Sequence, residues 1–376
     1  NFPLIRDIQV LLQAADALGC SVRLRKEEAV IDSRNSELDA SLDDLAGIVH
    51  GSLYLIPVLL ARSGRVKLFK PGGCRIGRRP TRHVVSVLET MGARRARIKK
   101  QEWLEAPQGL RGSTFDLREV NPTEHSGRTK TALLAGVLAQ GTTKILAPFQ
   151  AQEIDDLCSF LILSGAQIKR GEEVITVEGQ SELYGCTFAI PADFLEFATL
   201  SCAVQSAGGS VCIEPLPPMR FFAKEFDLLA ACGVLIKKRE NSILVESGNA
   251  HPVQFACPPI YSDLQPIITA TLWKADGIST VRDEVWPNRF DHIEGLRRLG
   301  ATVDRTGNSI YVCGPSTLHG TNLEANDLRS AAAQLVAALG ASGTSFLTGV
   351  EHLARGYYNL SNKLCALGAS IEEEMK

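Results

Sequence analysis

Two kinds of apolar pattern alternate along the chain. In the first, apolar residues recur at helical spacing, as at Leu12, Ala15 and Leu18, three positions apart, and the run ends on a glycine. That spacing predicts an amphipathic helix closed by a left-handed glycine. The ends are Ala17-Leu18-Gly19-Cys20, Thr90-Met91-Gly92-Ala93, Leu163-Ser164-Gly165-Ala166, Ala231-Cys232-Gly233-Val234, Arg298-Leu299-Gly300-Ala301 and Ala366-Leu367-Gly368-Ala369, each expected to run into a strand. Their glycines lie 73, 73, 68, 67 and 68 residues apart, so the chain is an array of units of about 70 residues. After the glycine, β-branched residues flank a short polar turn, as in 21–32 and 167–177, which is the pattern of a hairpin.

The second pattern, over 53–61, 131–140, 195–205, 265–274 and 329–340, is apolar or small nearly all the way round. A helix of that kind is buried inside a fold. Its ends also carry glycines, at 64, 141, 209, 277 and 343. Six copies of the first pattern against five of the second predict a further buried helix before residue 1, with the N-terminal part of the first repeat missing. Asn1 in place of Met, with no signal peptide behind it, agrees with that expectation. Six βα units with interior helices divide into two α/β domains of three, because one core seldom grows past about 250–300 residues. The linker-like Phe188-Ala189-Ile190-Pro191 puts the boundary between 1–190 and 191–376.

Composition narrows the function. Apolar residues at 45% argue against disorder, and no run of apolar residues is long enough to span a bilayer as a helix. With 40 Lys and Arg against 42 Asp and Glu, the net charge of −2 offers no general attraction for nucleic acid. Ten cysteines without a C-x-x-C pair fit a reducing cytoplasm, and seven histidines show no ligand spacing, so no metal is expected. Neither G-x-G-x-x-G after a strand nor a P-loop occurs, so no nucleotide cofactor is expected. The basic stretch from Arg75 to Lys100 is interrupted by an apolar helix, which suits a small anion better than a polyanion.

One segment departs from the repeat without a packing reason: Lys70-Pro71-Gly72-Gly73-Cys74-Arg75-Ile76-Gly77-Arg78-Arg79-Pro80. Adjacent glycines permit positive φ beside Cys74, and Lys70, Arg75, Arg78 and Arg79 surround its sulfur in sequence. Such a field favours thiolate and binds anions, which predicts Cys74 reactive and the other nine cysteines inert. On residues alone, a solvated basic turn holding a chance cysteine stands equally.

This loop, followed by Leu88-Glu89-x-x-Gly92-Ala93, resembles the catalytic loop of the UDP-N-acetylglucosamine enolpyruvyl transferase family. The similarity extends through Leu133 to Thr143, Asn288-Arg289-Phe290, Asp327-Leu328-Arg329 and Arg355-Gly356-Tyr357. It implies the two-domain inside-out α/β prism shared with EPSP synthase, closing on its substrates. The activity implied is transfer of an enolpyruvyl group from phosphoenolpyruvate to a hydroxyl of a uridine nucleotide, in the cytoplasmic synthesis of peptidoglycan precursors, without a cofactor.

Carried over by that resemblance, Cys74 protonates C3 of phosphoenolpyruvate and is the group fosfomycin alkylates. Asp263 takes the acceptor's hydroxyl proton; on sequence alone an Asp before an apolar helix reads as an N-cap or first-turn residue, and the two roles are compatible. Arg79, Arg329 and Arg355 hold the phosphate and carboxylate, anions that guanidinium forks match well, and all should converge with Cys74 and Asp263 on an inter-domain cleft. The acceptor is implied to contact His50, Pro80, Thr81, Arg82, His83, Thr123, His125, Val285 and Arg289. There the sequence departs from the family: His50 stands for an arginine, Thr123 for a lysine, Arg82 and His83 for an acid and a leucine, and Phe194 for an inter-domain arginine. A kept donor set with an altered acceptor set fits UDP-N-acetylglucosamine or another uridine nucleotide, as in the uridine-monophosphate transferases of nucleoside-antibiotic pathways. The rival is a non-catalytic regulatory paralogue.

Overall fold

All six glycines that mark the repeat take a left-handed backbone, with φ between 79° and 106°, so each outer helix ends where the sequence placed its stop. The structure is a computed structural model that describes residues 1–36, 42–70, 72–73, 81–286 and 288–374. Contacts among these residues divide the chain into two units, one up to Ile190 and the other from Pro191.

The first unit opens with α1 (Arg6–Ala17), the hairpin β1 (Ser21–Arg25) and β2 (Glu28–Asp32), and a short α2 (Asp43–Ala46). A 3-10 turn, His50–Tyr54, leads into α3 (Leu55–Ser63) and β3 (Arg65–Lys67). Then come α4 (Arg82–Thr90), β4 (Arg94–Ile98), β5 (Gln101–Glu105) and β6 (Thr114–Asp116). The unit ends with α5 (Pro122–Gly136), β7 (Thr142–Leu146), α6 (Gln152–Leu163), β8 (Gln167–Arg170) and β9 (Val174–Glu178). Its strands form three sheets, ordered β1-β2, β3-β5-β4 and β6-β7-β9-β8, in which β6-β7 is the parallel pair.

The second unit repeats the plan. It runs α7 (Phe194–Ala207), β10 (Ser210–Ile213), α8 (Ala223–Ala231), β11 (Val234–Lys238), β12 (Ile243–Ser247) and β13 (Gln254–Cys257). The 3-10 turn Ser262–Leu264 opens α9 (Gln265–Thr269), and β14 (Gly277–Asp283), α10 (His292–Leu299), β15 (Thr302–Thr306) and β16 (Ser309–Gly314) follow. Last are β17 (Asn322–Glu324), α11 (Leu328–Ala338), β18 (Phe346–Thr348), the 3-10 turn Val350–Arg355 and α12 (Leu360–Ala366). The sheets are β10-β12-β11, β13-β14-β16-β15 and β17-β18.

Burial separates the two helix types as the patterns require. The inner helices α7, α9 and α11 are buried around most of their surface, whereas the outer α6 buries Ile154, Cys158 and Leu161 along one stripe. Strands alternate inward and outward, as in β16, where Ile310 and Val312 are buried and Tyr311 is exposed. Three expectations need correction. The helix expected over 131–140 starts at Pro122, capped by Asn121, and ends at Gly136; its first half is polar and half-buried, so the apolar pattern did not reach it. The helix expected over 265–274 is a five-residue α-helix between two 3-10 turns, with Pro266 in its first turn and the Thr269 and Thr271 hydroxyls bonded back to Gln265 and Ile268 carbonyls. Past Gly368, residues 369–374 form no strand. No helix among the described residues is long and apolar enough to cross a membrane.

Candidate active site

The inner helices of the second unit each begin near an aspartate, and two of these cap in the ordinary way. Asp193 accepts the Leu195 N–H at 2.8 Å, and Asp327 accepts those of Arg329 and Ser330 at 2.9 and 3.1 Å. Asp263 behaves differently. The turn that holds it has no side-chain cap, and its carboxylate takes guanidinium donors instead: Arg289 Nη1 at 2.5 Å on Oδ1, Arg329 Nε at 3.3 Å and Nη2 at 3.1 Å on Oδ2. Asp263 thus stands in the first turn, one of the two helix-start places expected of it, without acting as the cap. Bonds between charged partners are about twice as strong as neutral ones, and two buried cations offer more than a helix end.

Both arginines are withdrawn from water, with side-chain exposures of 5% for Arg289 and 10% for Arg329, while Asp263 keeps 27%. Burial alone would raise the Asp263 carboxyl, but Arg289 and then Arg329 outweigh it and hold the group well below the usual carboxylate range. Burial likewise disfavours the Arg329 charge, yet its partners, Tyr357 and Asp263 foremost, leave its pKa raised. The remaining Arg329 donor, Nη1, reaches the Tyr357 hydroxyl at 2.9 Å, and that hydroxyl lies 2.8 Å from Thr199 on α7. Arg355 ends the turn Val350–Arg355, half-buried, and α11 packs against this turn.

Arg289 sits just ahead of α10, after a bend that Asp283 organises. Asp283, fully buried at the end of β14, accepts the N–H groups of Val285 and Trp286 at 2.8 and 3.2 Å. The Arg289 guanidinium lies 5.4 Å from the Trp286 ring centre. Beside it, His292 is fully buried with Nε2 3.2 Å from Gln265; burial first, then the charges of Arg289 and Arg305, pulls its pKa down to about 3.

In the first unit the proposed acceptor residues stand at helix starts. His50 begins the turn into α3, Thr81 and Arg82 open α4, and Thr123 and His125 lie in the first turn of α5, against which α3 and α4 both pack. Thr123 bonds Asn121 at 2.8 Å, and His125 donates Nε2–H to the Ala147 carbonyl at 2.8 Å with its ring edge-on to Phe149. Arg82 and His83 are both helical. Arg82 is exposed, but His83 is buried with its ring on Gly127, where an added Cβ would come within 2.2 Å of Nε2. That ring packs α4 on α5 and is not presented to solvent.

Cys74, Arg79 and Pro80 lie outside the described residues. Just before them, Gly73 has φ 116°, and Gly72 is needed for space, since a Cβ there would fall 2.0 Å from the Gly47 carbonyl oxygen. Among the other cysteines, burial pushes Cys158 up to about 11 and Cys232 up to about 12, and raises Cys202 and Cys257 strongly. Cys212, Cys313 and Cys365 are exposed, so burial is not what would keep these three inert. Thr199, Tyr357 and Asp283 carried no site signal of their own in the sequence. No cluster of three metal-ligating side chains occurs among the described residues.

The profile of the EPSP synthase (3-phosphoshikimate 1-carboxyvinyltransferase) family matches residues 1–364. UDP-N-acetylglucosamine 1-carboxyvinyltransferase 2 of Prochlorococcus marinus is 33% identical over 380 residues, covering 99% of this chain and 88% of its own. The Geobacillus kaustophilus protein of the same name is 35% identical, covering 100% and 87%. The crystal structure of the enolpyruvyl transferase NikO from Streptomyces tendae matches with a TM-score of 0.88 at 29% identity, over 98% of this chain and 88% of that one. An EPSP synthase from Acinetobacter baumannii, at 19% identity and a TM-score of 0.74 over 98% and 89%, shares the fold.

Proposed function

We propose, from the premise that this chain belongs to the EPSP synthase (3-phosphoshikimate 1-carboxyvinyltransferase) family, that it transfers the enolpyruvyl group of phosphoenolpyruvate to a hydroxyl of a uridine nucleotide and releases phosphate. The observation that carries the proposal is the Asp263 carboxylate set between two buried arginines, because it joins a proton acceptor to an anion site. In the reaction, the acceptor oxygen adds to C2 of phosphoenolpyruvate as its proton passes to Asp263, and C3 takes a proton from Cys74. The resulting tetrahedral adduct then loses phosphate from C2 and returns a proton from C3 to the Cys74 thiolate, restoring the double bond, while the proton held by Asp263 leaves with the phosphate. Arg79, Arg329 and Arg355 are assigned to the phosphate and carboxylate, whose charge they offset through the addition step.

The electrostatics give this assignment a specific order. A carboxylate gripped by two guanidiniums is a weak base. An anionic donor that engages Arg329 offsets part of that positive charge and raises the proton affinity of Asp263, so the base becomes competent once the donor is in place.

The acceptor nucleotide is assigned to the first unit, where His50, Thr81, Arg82, Thr123 and His125 stand at helix starts. Val285 and Arg289 are also assigned to the acceptor, whereas the buried His83 acts by packing α4 on α5. Histidine and threonine in place of a long arginine and lysine favour an acceptor whose distal group differs from N-acetylglucosamine. The test is phosphate release from phosphoenolpyruvate with UDP-N-acetylglucosamine, UMP and UDP at equal concentration. Release with UDP-N-acetylglucosamine alone refutes the altered acceptor and leaves the transferase standing. Release with none of the three favours the regulatory paralogue.

A further inference from the structure

Tyr357 and Thr199 belong to no element that meets substrate in the reaction above, yet they are bonded into its centre. Tyr357 is 3% exposed and Thr199 is 2% exposed. A guanidinium has donors only, so the 2.9 Å bond from Arg329 Nη1 makes the Tyr357 oxygen its acceptor. The Tyr357 proton then points to Thr199 Oγ1 at 2.8 Å, and the Thr199 proton goes to the Leu195 carbonyl at 2.8 Å. Burial raises the Tyr357 pKa despite Arg329 and Thr199, so the hydroxyl keeps the proton that this chain of bonds needs.

One arrangement of protons thus satisfies every group from α7 through Tyr357 to α11. It also fixes the guanidinium plane. With Nη1 pinned on Tyr357, the opposite edge, Nε and Nη2, is the edge that faces Asp263. Two bonds to one carboxylate oxygen leave the group free to swing about that oxygen, and the third bond removes this freedom.

We propose that Tyr357, held by Thr199, is a positioning residue that orients Arg329 toward Asp263 and toward the anionic donor. The inference deepens the proposed reaction and rests on it for its kinetic test, but not for its structural one.

In the full chain, Tyr357→Phe leaves a buried Arg329 N–H without its acceptor. A lost bond of this kind is expected to lower kcat/KM for phosphoenolpyruvate roughly 5- to 150-fold while KM for the acceptor stays within about twofold. Thr199→Val, which acts only through Tyr357, lowers the same parameter less, and the double variant is no worse than Tyr357→Phe, because the two residues act in series. A purely structural role would lower the melting temperature and leave KM for phosphoenolpyruvate unchanged, and that result overturns the proposal, as do single losses that multiply in the double variant. The second measurement needs no turnover: hydrogen exchange of the Arg329 Nε–H by NMR, assigned with Arg329→Lys, about tenfold or more faster in Tyr357→Phe and in Thr199→Val. Equal exchange in all three proteins also overturns the proposal. Absence of turnover in the unmodified protein would sink the reaction alone.

Discussion

Replacing Asp263 by asparagine takes away the negative charge that Arg289 and Arg329 share, and the amide that replaces it would still fit between them. Removing one partner of a buried ion pair costs about 3–5 kcal/mol, since the remaining charge stays desolvated. The 27% exposure of Asp263 places the loss near the low end, about 3 kcal/mol. In a unit of this size each kcal/mol moves the melting temperature by about 2–4 °C, so a drop of about 6–12 °C is expected at pH 7. Trp273 and Trp286 lie in the second unit and Trp103 in the first, so fluorescence melts of single-tryptophan variants locate the loss. The folded carboxyl lies below its unfolded value of about 4, so its stabilisation is present above that pH and fades as pH falls toward the folded value. The gap between the two proteins should therefore be widest above about pH 5 and close toward pH 2. Added phosphate should recover more of the loss in the variant, whose two guanidiniums lack a counter-charge. A variant melting within about 1 °C of the parent at pH 7, where about 6–12 °C is expected, would refute the account.

Three further outcomes follow from other residues. Fosfomycin should add to Cys74 and leave the buried Cys158, Cys202, Cys232 and Cys257 untouched by mass spectrometry, whereas iodoacetamide should also mark the exposed Cys212, Cys313 and Cys365; fosfomycin on a buried thiol would count against the assignment. Restoring long cations by His50→Arg and Thr123→Lys should raise turnover with UDP-N-acetylglucosamine, each regained donor contributing roughly 5- to 150-fold in affinity, as read from KM. His292 is neutral in the fold down to about pH 3, whereas the unfolded chain takes up its proton near 6.5, so stability drains away as pH falls through that window. His292→Gln should flatten the acid limb between those values in urea titrations, and an unchanged slope would contradict the buried neutral imidazole.

The glycine spacing made the repeat legible because a left-handed helix end tolerates few other residues, and the inner helices were visible because a helix without a polar face has one place to go. What escaped was local polarity. Pro122 to Lys130 is helix with a half-wet surface, so only its apolar continuation stood out, and Thr123 and His125 were hidden as helix residues. His83 stood within the basic stretch from Arg75 to Lys100, yet the room left by Gly127 draws its ring inside. Asp263 and Arg329 could be picked out from the family's motifs, but the pairing with Arg289, 26 residues away, is a product of tertiary structure. Thr199 gave no signal because a threonine in an apolar helix usually bonds its own backbone, as this one also does.

The contrast among the three aspartates has a consequence for how this molecule can change. Asp193 and Asp327 start helices of 14 and 11 residues, while the helix that Asp263 would otherwise cap is the five-residue α9. An absent cap forfeits about 1 kcal/mol. In a chain built from copies, two positions keep a mechanical duty and the third has surrendered it to its arginine partners. Any drift that returned this carboxylate to the helix end would regain about 1 kcal/mol from the cap and lose about 3 kcal/mol by leaving its cations unattended. Stability and purpose therefore coincide at all three residues, at Asp263 through its arginines and at its two counterparts through the helix end.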